Sequence, residues 1–366
     1  MSPAADERAL LRELTRRYLH TVRDLSVDAV RAHQLAPWGN IGHGAVGVAY
    51  VLWRVGRARG KRGAELIDRA HAWWRAAAQA SGEAGAFTSE APPPLSASMT
   101  APSLADGPPG LPFVGALIAD ARGEVAARDA HLDAFARACD ATAGRPRELL
   151  HGTAGLLVGA LALERVTGAA RARAIADRLA FELLSDPRTL APHADPAFAH
   201  GQAGVLSSLV QWSSRTGAHL PEAALAAIDA IDPHRVHEMQ PALRASWCNG
   251  AAGMTLLFVH AYESTGRELH RERALTAARL MTSTARAAVG NLCCGLGGCS
   301  YALLALARIA PGRNLRPRAR SYATRAASRM DSAWPHGLLR GWPGLICLAA
   351  DLEEDAAAAR FPLVEA

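Results

Sequence analysis

The chain has 366 residues, half of them apolar, which is ample for a sizeable buried core. Its net charge of +6 is weak evidence for an acidic partner, and nearly all of the positive charge is arginine, Lys61 being the only lysine. No cluster of basic residues interleaves with aromatics, so nucleic-acid binding is set aside.

Residues 1–40 form an N-terminal helical segment. Its start, MSPAADERALLRELTRRYLH, is charged throughout and lacks the apolar centre of a signal peptide. No stretch of the chain approaches the ~18 uninterrupted apolar residues of a membrane-spanning helix, so a soluble cytoplasmic protein is expected. Six cysteines without a secretory signal favour thiols and metal over disulfides.

From there seven Gly-x-x-Gly elements follow: GHGAVGVAY from Gly42, ADGPPGLPF from Ala105, LHGTAGLLV from Leu150, AHGQAGVLS from Ala199, WCNGAAGMT from Trp247, CCGLGGCSY from Cys293 and RGWPGLICL from Arg340. Elements two to seven recur every 45 to 49 residues, the period of helical-pair repeats. The first interval is longer and contains residues 81–110, rich in Pro, Ser and Ala, which reads as a long surface loop near the mouth. Apolar stretches follow each element, as in LLVGALALERV and MTLLFVHAYEST. Amphipathic, arginine-rich stretches lie between them, as in RARAIADRLAFELLS. Strand signals are scarce. The expected unit is an outer helix, a glycine turn and an inner helix. Seven units closing into an all-α toroid, a single domain over 1–366, would bring every turn to one mouth.

Chemistry concentrates at these turns. Cys248, Cys293 and Cys294 occupy the turn region of adjacent units, at helix starts where the helix dipole favours thiolate. Three protein ligands with a fourth position open is the pattern of a catalytic zinc site. Cys139, Cys299 and Cys347 read as core residues. His43, His151 and His200 each precede a turn glycine, where an ordinary histidine caps or hydrogen-bonds; in a ring they would line the same mouth as the cysteines. Glu148 and Arg244 lie close by on the approach side.

These motifs carry a resemblance. AHGQAG (199–204), RASWCNGAAG (244–253) and NLCCGLGG (291–298), supported by ELLHGTAG (148–155), resemble the lanthionine synthetase C-like family over essentially the whole chain. The resemblance implies a seven-fold double α-toroid with one zinc held by Cys248, Cys293 and Cys294. It implies a cyclase that adds a peptide cysteine thiolate to dehydroalanine or dehydrobutyrine, giving a thioether ring. His200 would protonate the enolate, with Arg244 and Glu148 at the positions of further site residues.

Three departures stand out. Many members have Cys-His-Gly where this chain has Cys293-Cys294-Gly295, bacterial members often have Asp at the position of Glu148, and Asn249 replaces a frequent Tyr or His. With no dehydratase or kinase region preceding the cyclase, the dehydrated precursor peptide is expected from a separate dehydratase or kinase/lyase protein.

Two other readings remain open at this point. Wider family members add glutathione to dehydroamino acids on proteins. A toroidal scaffold with a structural zinc would instead need a fourth thiolate, for which Cys299 is poorly placed. A zinc prenyltransferase is more distant, because no aspartate sits beside Cys248.

Overall fold

The computed structural model describes residues 3–32, 37–87, 103–140, 145–190, 195–285, 288–330, 336–354 and 358–366. Among them there is no strand. Seven inner helices start at or just after the glycine turns: Ala45–Ala58, Gly110–Ala121, Thr153–Thr167, Gln202–Thr216, Ala251–Thr265, Leu296–Ile309 and Trp342–Glu354. They are apolar on all sides because they are covered on all sides; every residue from Ala251 to Ala261 is buried. The outer helices bury one stripe only. In Ala170–Ser185 that stripe is Ala172, Ile175, Ala176, Leu179, Ala180 and Leu183, the three-and-four spacing of a helix with one wet face.

Each inner helix packs on the next, and Trp342–Glu354 packs back on Ala45–Ala58, so the inner ring closes. The toroid expected from the repeat is therefore present. The order within a unit differs from expectation. Five of the seven inner helices pack chiefly on the outer helix that follows, not the one before, while Gln202–Thr216 packs about equally on both of its outer neighbours. The reason is the length of the connection. Gly168 and Gly266 end two inner helices in the left-handed conformation (φ 64° and 66°) and turn the chain back into the outer helix within two residues, and Gly217 (φ 72°) does the same ahead of a five-residue connection, 217–221. The return to the next inner helix needs the longer glycine turn at the mouth. The seventh outer position is filled from the other end of the chain, by Pro3–Asp24, which packs on Trp342–Glu354 and closes the outer ring.

The 81–110 segment is only partly described. Residues 88–102 lie outside the described set, and Ser103, Leu104, Ala105 and Asp106 are buried, not at the surface. They belong to the second turn, whose neighbours on both sides cover them.

The C-terminal segment 358–366 fills the middle of the ring. Phe361 is fully buried, with its ring 5.2 Å from Trp247 and 4.9 Å from Tyr301. Gln211 donates to the Val364 carbonyl, and the buried Glu365 carboxylate meets His260 and Arg308. Leu363 and Val364 face Leu104, Leu149, Trp247 and Leu339 beneath the mouth turns. The bore is thus packed, and the chemistry of the turns is reached from the mouth side.

Both glycines of an element are fixed by close approach. A Cβ on Gly253 would stand 2.3 Å from the Trp247 carbonyl oxygen and 2.5 Å from Phe198 Cβ. Gly253→Ala is expected to cost about 2 kcal/mol or more in urea unfolding, whereas Gly82→Ala, with nothing within 4 Å of the new methyl, stays near wild type.

Candidate metal centre and acid–base cluster

Backbone hydrogen bonds tie neighbouring turns together at one repeated position, two residues before the first glycine. Gly42 N–H donates to Ala105 O (2.7 Å), Leu150 to Ala199 (3.0 Å), Ala199 to Cys248 (2.8 Å), Cys248 to Cys293 (3.4 Å) and Cys293 to Leu339 (2.9 Å). The next residue in each turn is the one before the glycine: His43, Asp106, His151, His200, Asn249, Cys294 and Arg340. Its backbone N–H is capped by a side chain three residues earlier in five of the seven turns. Asn40 caps His43 (2.8 Å), Ser103 caps Asp106 (3.0 Å), Glu148 caps His151 (3.2 Å), Ser246 caps Asn249 (3.1 Å) and Asn291 caps Cys294 (2.8 Å). Short polar side chains suit this role because they bond their own backbone a few residues on. Two features of the repeat thus hold a belt of polar side chains around the mouth.

Cys248, Cys293 and Cys294 come together as the sequence predicts, with their sulfurs within 4.8 Å of one another and Cys248 Sγ 3.8 Å from Cys294 Sγ. A tetrahedral zinc with Zn–S bonds of about 2.3 Å sets two sulfurs about 3.8 Å apart, so the donor set fits that ion in chemistry and in spacing. Hydrogen bonds from Cys293 and Cys294 draw the Cys248 thiol down to about 3. The bond to Cys248 in turn helps push Cys294 up to about 11. Ser246 Oγ (3.5 Å) and Asn249 Nδ2 (3.6 Å) brace the Cys248 sulfur. Cys299 stands apart: fully buried, pushed up to about 12 by burial, its thiol donates to the Ala245 carbonyl. It does not close the cluster.

The second group is built on Glu148. One carboxylate oxygen meets His151 Nδ1 and the other meets His200 Nδ1, each at 2.7 Å, and the two imidazoles stack with centroids 5.0 Å apart. Burial opposes ionisation of Glu148, yet the hydrogen bonds from His151 and His200 carry it down to about 2. His151 Nε2 lies 3.1 Å from Asp106 Oδ2, and His43 Nε2 lies 3.4 Å from Asp106 Oδ1. Burial works against a charge on His151, but the bonds to Asp106 and Glu148 raise it to about 9. For His43 burial wins and the imidazole is pushed down.

A histidine raised in the folded state stabilises it fully below the unfolded value of ~6.5, and that contribution is lost as pH climbs through about 9. The urea midpoint of wild type is therefore expected to fall between pH 7 and pH 10 by more than that of His151→Gln.

Of the residues the sequence singles out, His200 stands on the turn next to Cys248, and Glu148 reaches that turn through its bond to His200. Arg244 is less direct: its guanidinium donates to the carbonyls of Met239 (3.2 Å) and His237 (2.9 Å), within its own loop. Asp106 escapes that reading because ADGPPG resembles a plain proline turn. Aligning the seven turns on their first glycine is the signal that finds it, since Asp106 then falls in line with His151 and His200.

Residues 39–365 match the lanthionine synthetase C-like protein family, and the chain belongs to that family. Among solved structures, nisin cyclase is similar with a TM-score of 0.66 and 13% identity, over 94% of this chain and 93% of that one. At that identity the likeness carries the α-toroid fold. No curated protein sequence gives a significant match.

Proposed function

We propose that the protein is a zinc-dependent lanthipeptide cyclase, adding peptide cysteine thiols to dehydroalanine or dehydrobutyrine to form thioether rings. The observation that carries this reading is the juxtaposition of two clusters on one mouth. A cluster of three thiols and a carboxylate-anchored histidine sit on adjacent turns, joined by the Ala199 N–H to Cys248 O bond. A structural metal site would need no such partner, and it would want a fourth protein ligand that Cys299 does not provide.

Cys248, Cys293 and Cys294 would hold the zinc, which when bound supplies a Lewis acid that keeps an incoming thiol as thiolate at neutral pH. The new S–C bond forms at the β-carbon, the π pair moves towards the amide, and Cα then needs a proton. His200 is the donor in this reading. Glu148 accepts from its Nδ1–H, which leaves Nε2 to take up the proton released by the incoming thiol and deliver it to Cα, and 40% exposure of its side chain gives substrate access. Arg244 meets the amide oxygen as charge develops there, leaving the His237 and Met239 carbonyls when substrate binds. The substrate is a dehydrated precursor peptide made by a separate dehydratase or kinase/lyase protein. No helix among the described residues is long and apolar enough to cross a membrane.

The test of substrate class offers the zinc-loaded protein a dehydrated peptide containing cysteine, with glutathione present. Ring closure without glutathione incorporation is the expected product. Exclusive glutathione adducts would assign the protein to the wider group that modifies dehydroamino acids in other proteins.

A further inference from the structure

Asp106 is an expensive residue to place where it lies. It is 2% exposed, and its carboxylate is flanked by two imidazoles. Burial opposes its charge, while the His151 hydrogen bond, the nearby His43 and His151 imidazoles and the Arg340 guanidinium hold the carboxyl below its usual range. Much of the surrounding chain is arranged to keep it fixed. Ser103 Oγ caps its N–H at 3.0 Å, and Asn40 Nδ2 donates to its carbonyl at 3.2 Å. A Cβ on Gly42 would stand 2.4 Å from its Oδ1, so the glycine of the first turn makes room for it. If the mouth needed only a brace between the first three units, apolar packing would serve at lower desolvation cost.

We propose that Asp106 and His151 are positioning residues for His200, forming a buried arm Asp106–His151–Glu148–His200 that fixes which nitrogen of His200 faces the substrate. The arm runs through contacts of 3.1, 2.7 and 2.7 Å. Asp106 Oδ2 orients His151 by its Nε2. His151, with its backbone N–H and Nδ1 both on Glu148 Oε1, fixes the carboxylate. The remaining oxygen, Oε2, then accepts from His200 Nδ1 and leaves Nε2 outward. His200 lacks the side-chain cap that holds most of its counterparts. Ala197 occupies the position from which Asn, Ser or Glu caps the corresponding residue in five other turns, and an alanine side chain cannot cap. His200 therefore depends on Glu148, and Glu148 depends on the arm behind it. Supporting groups of this kind commonly change rate by 10- to 100-fold through orientation alone.

This inference rests on His200 being the acid of the proposed cyclase, and the test separates the two. Histidine-labelled, zinc-loaded protein is measured by ¹⁵N NMR, with the His200 signals assigned by their loss in His200→Ala. Wild type is expected to show His200 with its proton on Nδ1. Asp106→Asn and His151→Gln should each shift it to a mixture of tautomers. Both should lower kcat about tenfold while KM stays within about twofold and zinc content is unchanged. Unaltered His200 signals and kcat in folded, zinc-loaded variants would overturn the inference, even where the melting temperature falls, because the arm would then be a brace. Should Asp106→Asn fail to fold, His151→Gln decides alone. Full activity in His200→Ala would remove the acid assignment, while the NMR shift would still report the arm.

Discussion

His200→Ala is expected to fold, keep its metal and lose thioether formation by about 10²-fold or more, the usual contribution of a positioned general acid. The residue carries no part of the core; its side chain is 40% exposed and its backbone stays tied to the fifth turn through Ala199. What the substitution removes is the imidazole on Glu148 Oε2. His43 serves as the comparison. It holds the same place in its turn but is buried against Asp106, away from substrate, so His43→Ala should act through stability and through the arm, with a smaller loss of rate. Single-turnover ring closure on one dehydrated peptide makes the measurement. A wild-type rate in His200→Ala would mean that solvent or another group delivers the proton.

Removing a thiol has the other large effect. Cys248→Ala, Cys293→Ala and Cys294→Ala each leave two sulfurs of a three-sulfur set. Two protein ligands hold zinc poorly, so metal should fall from one ion per chain to well below that after dialysis against a chelator. Activity should fall with it. Cys299→Ala, whose sulfur is bonded to the Ala245 carbonyl, should keep full metal. Cys294→His keeps the number of ligands and should also retain zinc. Undiminished zinc in any one of the three alanine variants would take that cysteine out of the ligand set.

The toroid was legible because its repeat is written in glycines, and a glycine is hard to replace where a carbonyl oxygen lies 1.9 Å from its missing Cβ, as at Gly204, or 2.3 Å, as at Gly253. The thiol cluster was legible for the same reason: Cys248, Cys293 and Cys294 stand at fixed offsets from those glycines. Less visible was how the ring closes. The pairing of Pro3–Asp24 with Trp342–Glu354 joins the two ends of the sequence, and no local pattern marks a contact across that separation. The plug by Phe361 and Glu365 is of the same kind. Asp106 was missed because proline and glycine dominate its surroundings and suggest exposure. The alignment of turns puts it in line with His151 and His200, and its neighbours His43 and His151 in the fold show what that place is for: a buried carboxylate between two imidazoles. Arg244 shows the opposite failure: its place in the motif is clear, but the carbonyls of His237 and Met239 decide where its guanidinium points.

The proposed joint work of the thiol cluster and the histidine cluster is to join a thiol to a dehydroamino acid. Its most direct test counts free thiols on a dehydrated, cysteine-containing peptide by alkylation and mass spectrometry, after incubation with zinc-loaded protein or with protein stripped of metal. Alkylatable thiol should disappear at unchanged peptide mass with the zinc-loaded protein, and persist with the stripped protein until zinc is restored. Equal thiol loss with and without zinc, or none with a fully loaded protein across peptides of different ring spacing, would contradict it.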